Sequence, residues 1–210
     1  MNEPPISRRI FLEHGAWLAG ALWAGVFAAR PRAAAAAAAS QTPEVFTKPQ
    51  WATVAAVTSR LLPSDDGPGA AEAGCVNFID KALAREDVAA KPLYVSGIAA
   101  LGRACRSAFD KPFEELDAKI QDEVLTKLQD GKFSAWPAGS VGQSEFFEAV
   151  RTHTIIGYLC DPRYGGNRDY VGWKRLGYPG GRHSLGGYTP QQMLGKEAVR
   201  PIWEAGKEKS

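Results

Sequence analysis

Apolar residues recur at intervals of three and four positions in five segments before residue 158, which is the spacing of one face of an α-helix. In the first segment Trp51, Val54 and Thr58 follow this spacing, and Thr47 stands where a helix cap is expected. Before residue 158 no four residues alternate cleanly between apolar and polar, so no sheet of any size is expected. The pattern predicts an all-α helical bundle within residues 40–158, with about five helices at 47–62, 70–85, 92–109, 113–128 and 144–158.

The pattern changes at the end of the fifth predicted helix. Nine glycines lie between Gly157 and Gly187, interleaved with tyrosines, a tryptophan and arginines. Frequent glycines prevent regular elements from forming. We therefore expect residues 159–210 to form an irregular, glycine- and aromatic-rich C-terminal region that belongs to the same single domain as the bundle.

The first 39 residues have the composition of an export signal. Arg8 and Arg9 precede Phe11-Leu12, an apolar stretch covers about residues 16–29, and seven alanines end at Ala39. A basic start, a short apolar middle and a small-residue exit are typical of a signal peptide, and the paired arginines indicate the twin-arginine class. A membrane anchor and a buried first helix are the alternatives. The sequence predicts cleavage after Ala39 and export in folded form, by the twin-arginine export machinery, to the periplasm.

Charge argues against a polyanionic partner. The whole chain carries 25 Lys and Arg against 23 Asp and Glu, and the two signs balance at 21 each after residue 39. A nucleic-acid-binding domain usually carries a clear basic excess. We therefore expect no nucleic acid among the partners.

The sequence contains none of the usual motifs for a bound cofactor. Cys75, Cys105 and Cys160 are separated by 30 and 55 residues, so covalent haem, iron–sulfur and zinc sites lack their spacing. Gly67-Pro68-Gly69 has neither the third glycine nor the preceding strand of a dinucleotide loop. The chain is thus expected to hold no cofactor. In an oxidising compartment two cysteines could pair and leave one thiol, either buried and inert or bridged to another chain.

Three residues are candidates for reactive chemistry, namely His153, Cys160 and Asp161. His153 lies inside the fifth predicted helix, where a histidine is most often a packed residue with one hydrogen bond. It precedes Cys160 by seven residues, on roughly the same helical side, so the two could form a nucleophile and its base. A buried and unreactive cysteine is the more common arrangement.

The most distinctive segment is Asp161-Pro162-Arg163-Tyr164-Gly165-Gly166-Asn167-Arg168-Asp169. Pro162 restricts one backbone angle, the two glycines permit a tight turn, and the aspartates could hold arginine forks. We interpret it either as a rigid loop that closes the bundle or as a docking surface, since Tyr, Trp and Arg anchor interfaces. The partner-interface candidates are Asp161, Arg163, Tyr164, Gly165, Gly166, Asn167, Arg168, Asp169, Trp173 and Tyr178, with Cys160 as a candidate for an inter-chain disulfide.

At these residues the chain resembles the gluconate 2-dehydrogenase subunit 3 family, the small subunit of membrane-associated flavoprotein sugar and sugar-acid dehydrogenases. The resemblance is carried by residues 61–70, by Phe146-Phe147 with Arg151 and Gly157, by residues 161–169 with Trp173, and by Gly177-Tyr178-Pro179-Gly180. It covers most of the chain after the leader, whereas the tail after Gly180 has no counterpart.

The resemblance implies a non-catalytic subunit without a redox centre. Its expected partners are a large FAD subunit of the glucose-methanol-choline type, which oxidises the substrate, and a c-type cytochrome subunit, which passes electrons through haem c towards quinone. The complex would be periplasmic and associated with the inner membrane. The family name implies oxidation of D-gluconate to 2-dehydrogluconate, with glucoside 3-dehydrogenase, fructose and other polyol dehydrogenases as alternatives.

Overall fold

The computed structural model describes residues 42–181 and 187–204. Those residues hold eight α-helices and no strand, apart from one isolated parallel bridge between Gly180 and Arg200. The all-α prediction is therefore confirmed. The predicted signal peptide, residues 1–39, lies outside the described residues. The helices are α1 (Lys48–Leu61), α2 (Ala70–Ala73), α3 (Cys75–Ala84), α4 (Lys91–Phe109), α5 (Ala118–Gln129), α6 (Gln143–Leu159), α7 (Val171–Leu176) and α8 (Pro190–Met193).

Helix α1 begins and ends within a residue of its predicted bounds. The Thr47 side chain accepts a hydrogen bond from the Gln50 amide, and the Gln50 side chain accepts one from the Thr47 amide. This reciprocal pair satisfies two amides that the first helical turn leaves without partners. At the other end Leu62 has left the helical conformation, with Pro63 following.

The predicted second helix is divided in two, which corrects the sequence-based bounds of 70–85. Gly74 adopts a left-handed conformation with φ 73°, and it ends α2 and precedes α3. Glycine has no Cβ and reaches this region without strain. The apolar spacing continues across the break, so periodicity alone did not reveal it.

The predicted fourth helix begins later than expected. Residues Phe113–Glu115 form a 3₁₀ turn, Leu116 is extended with ψ 151°, and α5 starts only at Ala118. The buried Gln121 side chain donates a hydrogen bond to the Phe113 carbonyl at 2.8 Å. The Phe113 carbonyl therefore accepts from the Leu116 amide, in the 3₁₀ pattern, and from the Gln121 side chain.

Helix α6 is the central element of the bundle and packs against α1, α3, α4 and α5. Phe146 on α6 is 2% exposed and lies directly against Gly97 of α4, where an added Cβ would come within 2.1 Å of the Phe146 ring. Among the five helices of ten or more residues lies one continuous apolar core. Its largest fully buried side chains are Tyr94, Phe113, Phe146, Ile79, Leu83, Leu101, Leu128, Val54, Val124 and Val150.

A buried carboxylate attaches the start of the described chain to this core. Asp80 of α3 is 1% exposed and accepts hydrogen bonds from the amides of Glu44, Val45 and Phe46, at 2.6, 3.0 and 2.8 Å. Several charge-assisted bonds of this kind offset the cost of burying a carboxylate. The segment before α1 is thereby fixed without regular structure.

The C-terminal region is irregular as predicted, but it also contains α7 and α8 and three 3₁₀ turns. The turns are Pro162–Tyr164, Arg168–Tyr170 and Ile202–Glu204. Asn167, Asp169 and Tyr170 all have positive φ, a conformation that a right-handed helix cannot contain, so the chain stays irregular between α6 and α7. Across residues 42–181 and 187–204, none of the helices has the length and apolarity that crossing a bilayer requires.

Candidate partner surface and reactive residues

Asn167 is the centre of the distinctive loop and is completely buried. Its backbone amide donates to the Gly157 carbonyl at 2.7 Å, and its side-chain amide donates to the Cys160 carbonyl at 2.9 Å. Its side-chain oxygen accepts from the Gly172 amide at 2.8 Å. One asparagine therefore connects the end of α6, the loop and the start of α7.

The two loop glycines are required by close approach and by backbone angle. An added Cβ at Gly166 would lie 2.1 Å from the Gly157 carbonyl oxygen, and Gly165 has φ 95°. The Gly165 carbonyl accepts a hydrogen bond from the Asn77 side chain of α3 at 2.6 Å. Backbone thus packs directly on backbone here, which only glycine permits.

Asp161 does not hold an arginine fork, contrary to the sequence-based expectation. It is 7% exposed, and its two carboxylate oxygens accept from the amides of Arg163 and Ile202, at 3.1 and 3.0 Å. Within the described residues Asp169 forms no ion pair either. Asp161 caps the turn that follows it and also holds a segment 41 residues further along the chain.

Trp173 is buried beneath the loop. Its indole N–H donates to the Leu159 carbonyl at 2.6 Å, and its ring contacts Tyr170 and Tyr178 at centroid distances of 5.6 and 5.0 Å. A buried indole needs such a polar partner. Tyr178 is in turn hydrogen-bonded to Tyr188, and this bond together with burial raises the pKa of Tyr178 to about 12.

The predicted interface candidates therefore fall into three groups by burial. The buried group holds the C-terminal region against α6 and consists of Asp161, Gly166, Asn167 and Trp173. The half-buried group consists of Gly165, Arg168 and Tyr178, and the exposed group of Arg163, Tyr164 and Asp169. The solvent-accessible surface of the candidates comes mainly from the half-buried and exposed groups. Reading the sequence missed the exposed Ile202 and Trp203, which lie beside Arg163.

The Pro/Gly-rich segment after α1 lines a cleft of about 230 Å³. Tyr158 and Arg175 form its other side, and the Tyr158 hydroxyl donates to the Pro68 carbonyl at 2.7 Å. The cleft is half open to solvent, since Asp65 at its edge is exposed. These contacts attach the segment to the C-terminal region.

His153 is a packed residue with two partners. Its Nδ1 lies 2.8 Å from the Tyr94 hydroxyl and its Nε2 lies 3.2 Å from an Asp87 carboxylate oxygen. Burial lowers the pKa of His153, with Asp87 opposing that effect in part. Because a carboxylate can only accept, the neutral ring donates its proton from Nε2 to Asp87, and Nδ1 shares the single Tyr94 hydroxyl proton with the Ala149 carbonyl, which lies 3.2 Å from that hydroxyl. Tyr94 has no exposed surface, and burial raises its pKa.

All three cysteines are free thiols. Cys75 and Cys105 are fully buried, and burial raises the pKa of each to about 12. Cys160 is half-buried at the end of α6, and burial raises its pKa to about 11. The polar contacts of His153 are to Tyr94 and Asp87, and the Cys160 thiol lies 3.6 Å from the Gly157 carbonyl oxygen. No hydrogen bond joins the two members of the nucleophile pair considered from the sequence among the described residues.

Among the described residues no three His, Cys, Asp or Glu side chains are grouped as ligands for a metal ion.

Similarity to known proteins identifies the family of the chain. No curated protein and no solved structure matches the chain. A family model does match, and it spans residues 48–180, more than half of the chain, from α1 through α7 to the bridge at Gly180. The chain therefore belongs to the gluconate 2-dehydrogenase subunit 3 family.

Proposed function

We propose that this chain is a non-catalytic small subunit of a periplasmic flavoprotein dehydrogenase complex. The observation that carries the proposal is family membership across residues 48–180, which makes the chain a subunit of gluconate 2-dehydrogenase-type complexes. In this proposal its role is to bind and stabilise the large FAD subunit and to accompany it during export.

The environments of the candidate reactive residues support a non-catalytic role. The Cys160 thiol has a raised pKa, which disfavours the nucleophilic thiolate. The Asp161 carboxylate is buried and occupied by two backbone amides. His153 is bonded on both ring nitrogens. Each of the three candidates thus has a structural task in this chain.

In the proposed complex, chemistry takes place on the partners. A large subunit of the glucose-methanol-choline type would hold FAD and oxidise the sugar acid, and a c-type cytochrome subunit would carry electrons towards quinone. D-gluconate, oxidised to 2-dehydrogluconate, is the proposed substrate. Subunits of glucoside 3-dehydrogenase or of fructose and other polyol dehydrogenases are the alternatives, because the flavoprotein pocket would select the substrate.

The twin-arginine leader predicted at residues 1–39 supports the proposed export in folded form. A twin-arginine signal carries folded proteins, so a companion chain could bring a flavoprotein that received FAD in the cytoplasm. The proposed location is the periplasm, with attachment to the inner membrane through the complex. Replacing both leader arginines, Arg8→Lys with Arg9→Lys, should leave this chain and the flavoprotein in the cytoplasm together.

The decisive experiment is to express the large FAD subunit with and without this chain. Periplasmic dehydrogenase activity, bound FAD and the amount of large subunit should all fall when the chain is omitted. A large subunit that is equally active and equally exported alone would contradict the proposal. Activity with gluconate, a glucoside and fructose as alternative substrates, measured on the intact complex, would identify the substrate class.

An activity of the chain itself is the second candidate, and the Asp87–His153–Tyr94 hydrogen-bond series is the observation in its favour. Such a series can orient a base, but Tyr94 at its end is fully buried and cannot meet a substrate. His153→Gln and Cys160→Ser complexes should assemble and turn over at the wild-type rate. Normal assembly without turnover in either variant would favour the catalytic alternative.

An inter-chain disulfide through Cys160 remains a prediction. Cys160 is the least buried of the three cysteines and lies beside the loop proposed to face a partner. Non-reducing electrophoresis of the wild-type complex should show a linked species that disappears in Cys160→Ser. Cys105→Ser, a change in a fully buried thiol of α4, should leave the linked species unchanged.

A further inference from the structure

Four neighbouring side chains form an exposed cluster at one end of the bundle, which we call the Arg163 patch: Arg163, Tyr164, Ile202 and Trp203. The Arg163 guanidinium carbon lies 4.7 Å from the Tyr164 ring centroid and 5.9 Å from that of Trp203. Tyr164, Ile202 and Trp203 are 36%, 56% and 40% exposed. Arg, Tyr and Trp are the residue types that dominate the energy of protein interfaces.

The patch is fixed before any partner arrives. Asp161 accepts the amides of both Arg163 and Ile202, so one buried carboxylate holds the two chain segments of the patch together. The Arg163 guanidinium also donates to the Tyr164 hydroxyl at 2.5 Å. A surface that is ordered in advance loses less entropy on binding than a mobile one.

Charge indicates the chemistry of the partner. Residues 42–158 carry 12 Lys and Arg against 16 Asp and Glu, whereas residues 159–210 carry 9 against 5, so the bundle is net −4 and the C-terminal region net +4. Among the residues whose side chains the structure describes, 42–181 and 187–203, none forms an ion pair with Arg163. Its planar fork, stacked on Tyr164, suits a carboxylate bound through two parallel hydrogen bonds.

We propose that the Arg163 patch docks an acidic surface of the flavoprotein subunit, with an Asp or Glu carboxylate on the Arg163 fork and apolar side chains against Ile202 and Trp203. This inference rests on the proposed function, because it takes the flavoprotein as the partner. It assigns the contact to two exposed residues of the loop, Arg163 and Tyr164, and to a turn outside the matched residues 48–180.

A protein partner fits these observations better than a membrane or a second copy. Attraction to anionic lipid depends on clusters of four or more basic residues, whereas the patch contains a single cation. A second copy would have to bring its acidic bundle to the basic C-terminal region of the first. A two-fold dimer of that kind would need both surfaces of each chain within one interface, whereas the Arg163 patch is a single compact cluster.

The test uses the complex of full-length chain and flavoprotein subunit, with affinity measured by calorimetry at several salt concentrations. Arg163→Glu and Trp203→Ala should each weaken binding by about tenfold or more, the usual effect of removing an interface anchor. Arg106→Glu, at an exposed position of α4, is the matched charge control and should bind like wild type. Arg163→Lys keeps the charge but not the fork and should fall between wild type and Arg163→Glu.

The outcomes separate this inference from the proposed function. A wild-type chain that forms no complex with the flavoprotein overturns both. A stable wild-type complex whose affinity is unchanged in both Arg163→Glu and Trp203→Ala overturns this inference alone. Circular dichroism verifies that the variants fold, and Trp203→Ala provides a second measure should Arg163→Glu disturb Asp161.

Two further outcomes assign the patch to another occupant. Wild-type binding to vesicles of equal parts phosphatidylglycerol and phosphatidylcholine, lost in Trp203→Ala while flavoprotein affinity is unchanged, overturns the proposal in favour of lipid. Self-association in sedimentation that disappears in the same variant overturns it in favour of a second copy. The affinity of the wild-type chain for the flavoprotein should fall as NaCl rises from about 0.1 to about 1 M, because the Debye length shortens from about 10 to about 3 Å. A fall of this kind would support the proposal.

Discussion

In the bundle, residues 42–158, the most completely buried large side chains are aromatic and aliphatic, led by Tyr94, Phe113 and Phe146, whereas in the C-terminal region the side chain with no exposed surface is Asn167. The bundle is stabilised by burial of apolar surface, and this hydrophobic effect has no directional preference. The C-terminal region is held by directional hydrogen bonds to backbone groups and by glycines in contact with carbonyls. From this difference we expect the bundle to tolerate apolar substitutions of similar volume and the C-terminal region to depend on particular residues.

The comparison predicts that the largest loss of stability comes from the apolar core. Phe146→Ala should lower the free energy of unfolding by about 3–5 kcal/mol, because the ring is 2% exposed and leaves a cavity. Urea unfolding followed by circular dichroism measures the loss. Ile155→Ala, at a position 40% exposed on the same helix, is the control and should change little. An equal loss in both variants would contradict the apolar account of the bundle.

Asn167→Ala should have the next largest effect, about 2 kcal/mol, because buried partners at Cys160 and Gly172 lose their hydrogen bonds. The loss should be local. Hydrogen exchange should quicken at the Gly172 amide and around Trp173 while α3 and α4 stay protected. Gln121→Ala, which removes a buried bond to the Phe113 carbonyl, is the matched change in the bundle. Uniform loss of protection through the whole chain would show that the two regions unfold as one unit.

Asp161→Ala should have a smaller effect, about 1.5 kcal/mol, concentrated at Arg163 and Ile202, since each amide loses a charged acceptor. Hydrogen exchange at the Ile202 amide is the direct measurement. Asp169→Ala, at an exposed carboxylate of the same loop, should leave that amide protected. Unchanged exchange at Ile202 in Asp161→Ala would mean that other contacts hold the end of the chain.

The smallest expected effect depends on pH. Burial lowers the pKa of His153 below its ordinary 6.5, so near that pH the unfolded chain binds more protons than the folded one. The free energy of unfolding should therefore be fully retained above pH 6.5 and decrease as pH falls from there through the lowered pKa. His153→Gln should flatten this part of the profile, and the difference from wild type isolates His153 from the other histidines. If the free energy of unfolding of the wild-type protein rose more steeply than that of His153→Gln as the pH fell, the pKa of His153 would have to be raised in the folded state, contrary to this prediction.

Most of the bundle could be predicted because its determinants are local. The apolar spacing of α1, α4 and α6 and the Thr47 cap are all visible within each segment. The break at Gly74 was missed because Ala73 before it and Cys75 and Val76 after it preserve the apolar pattern, and a left-handed glycine does not change that spacing. The late start of α5 was missed because it depends on Gln121, whose bond to Phe113 is specific to the packed structure.

The loop at residues 161–169 could be recognised from the sequence as unusual, but the contacts of its residues could not. Only the fold shows that Gly166 and Asn167 are buried against α6 and that Gly165 lies against α3. Asp161 was expected to bind arginine because the sequence places both residue types nearby. Its true partners are backbone amides, and one of them is 41 residues away, beyond the reach of local patterns. Ile202 and Trp203 were missed for the same reason.

Because the Ile202 amide donates a hydrogen bond to Asp161, the structure of the loop at residues 161–169 depends on the segment around residue 202. Removal of residues from 200 onward would take away one donor of a carboxylate that is 7% exposed, and the remaining oxygen would need water or a proton. Truncation before residue 200 would therefore destabilise the loop at Asp161. The loop reaches its full hydrogen bonding only when a segment about forty residues later in the chain is present.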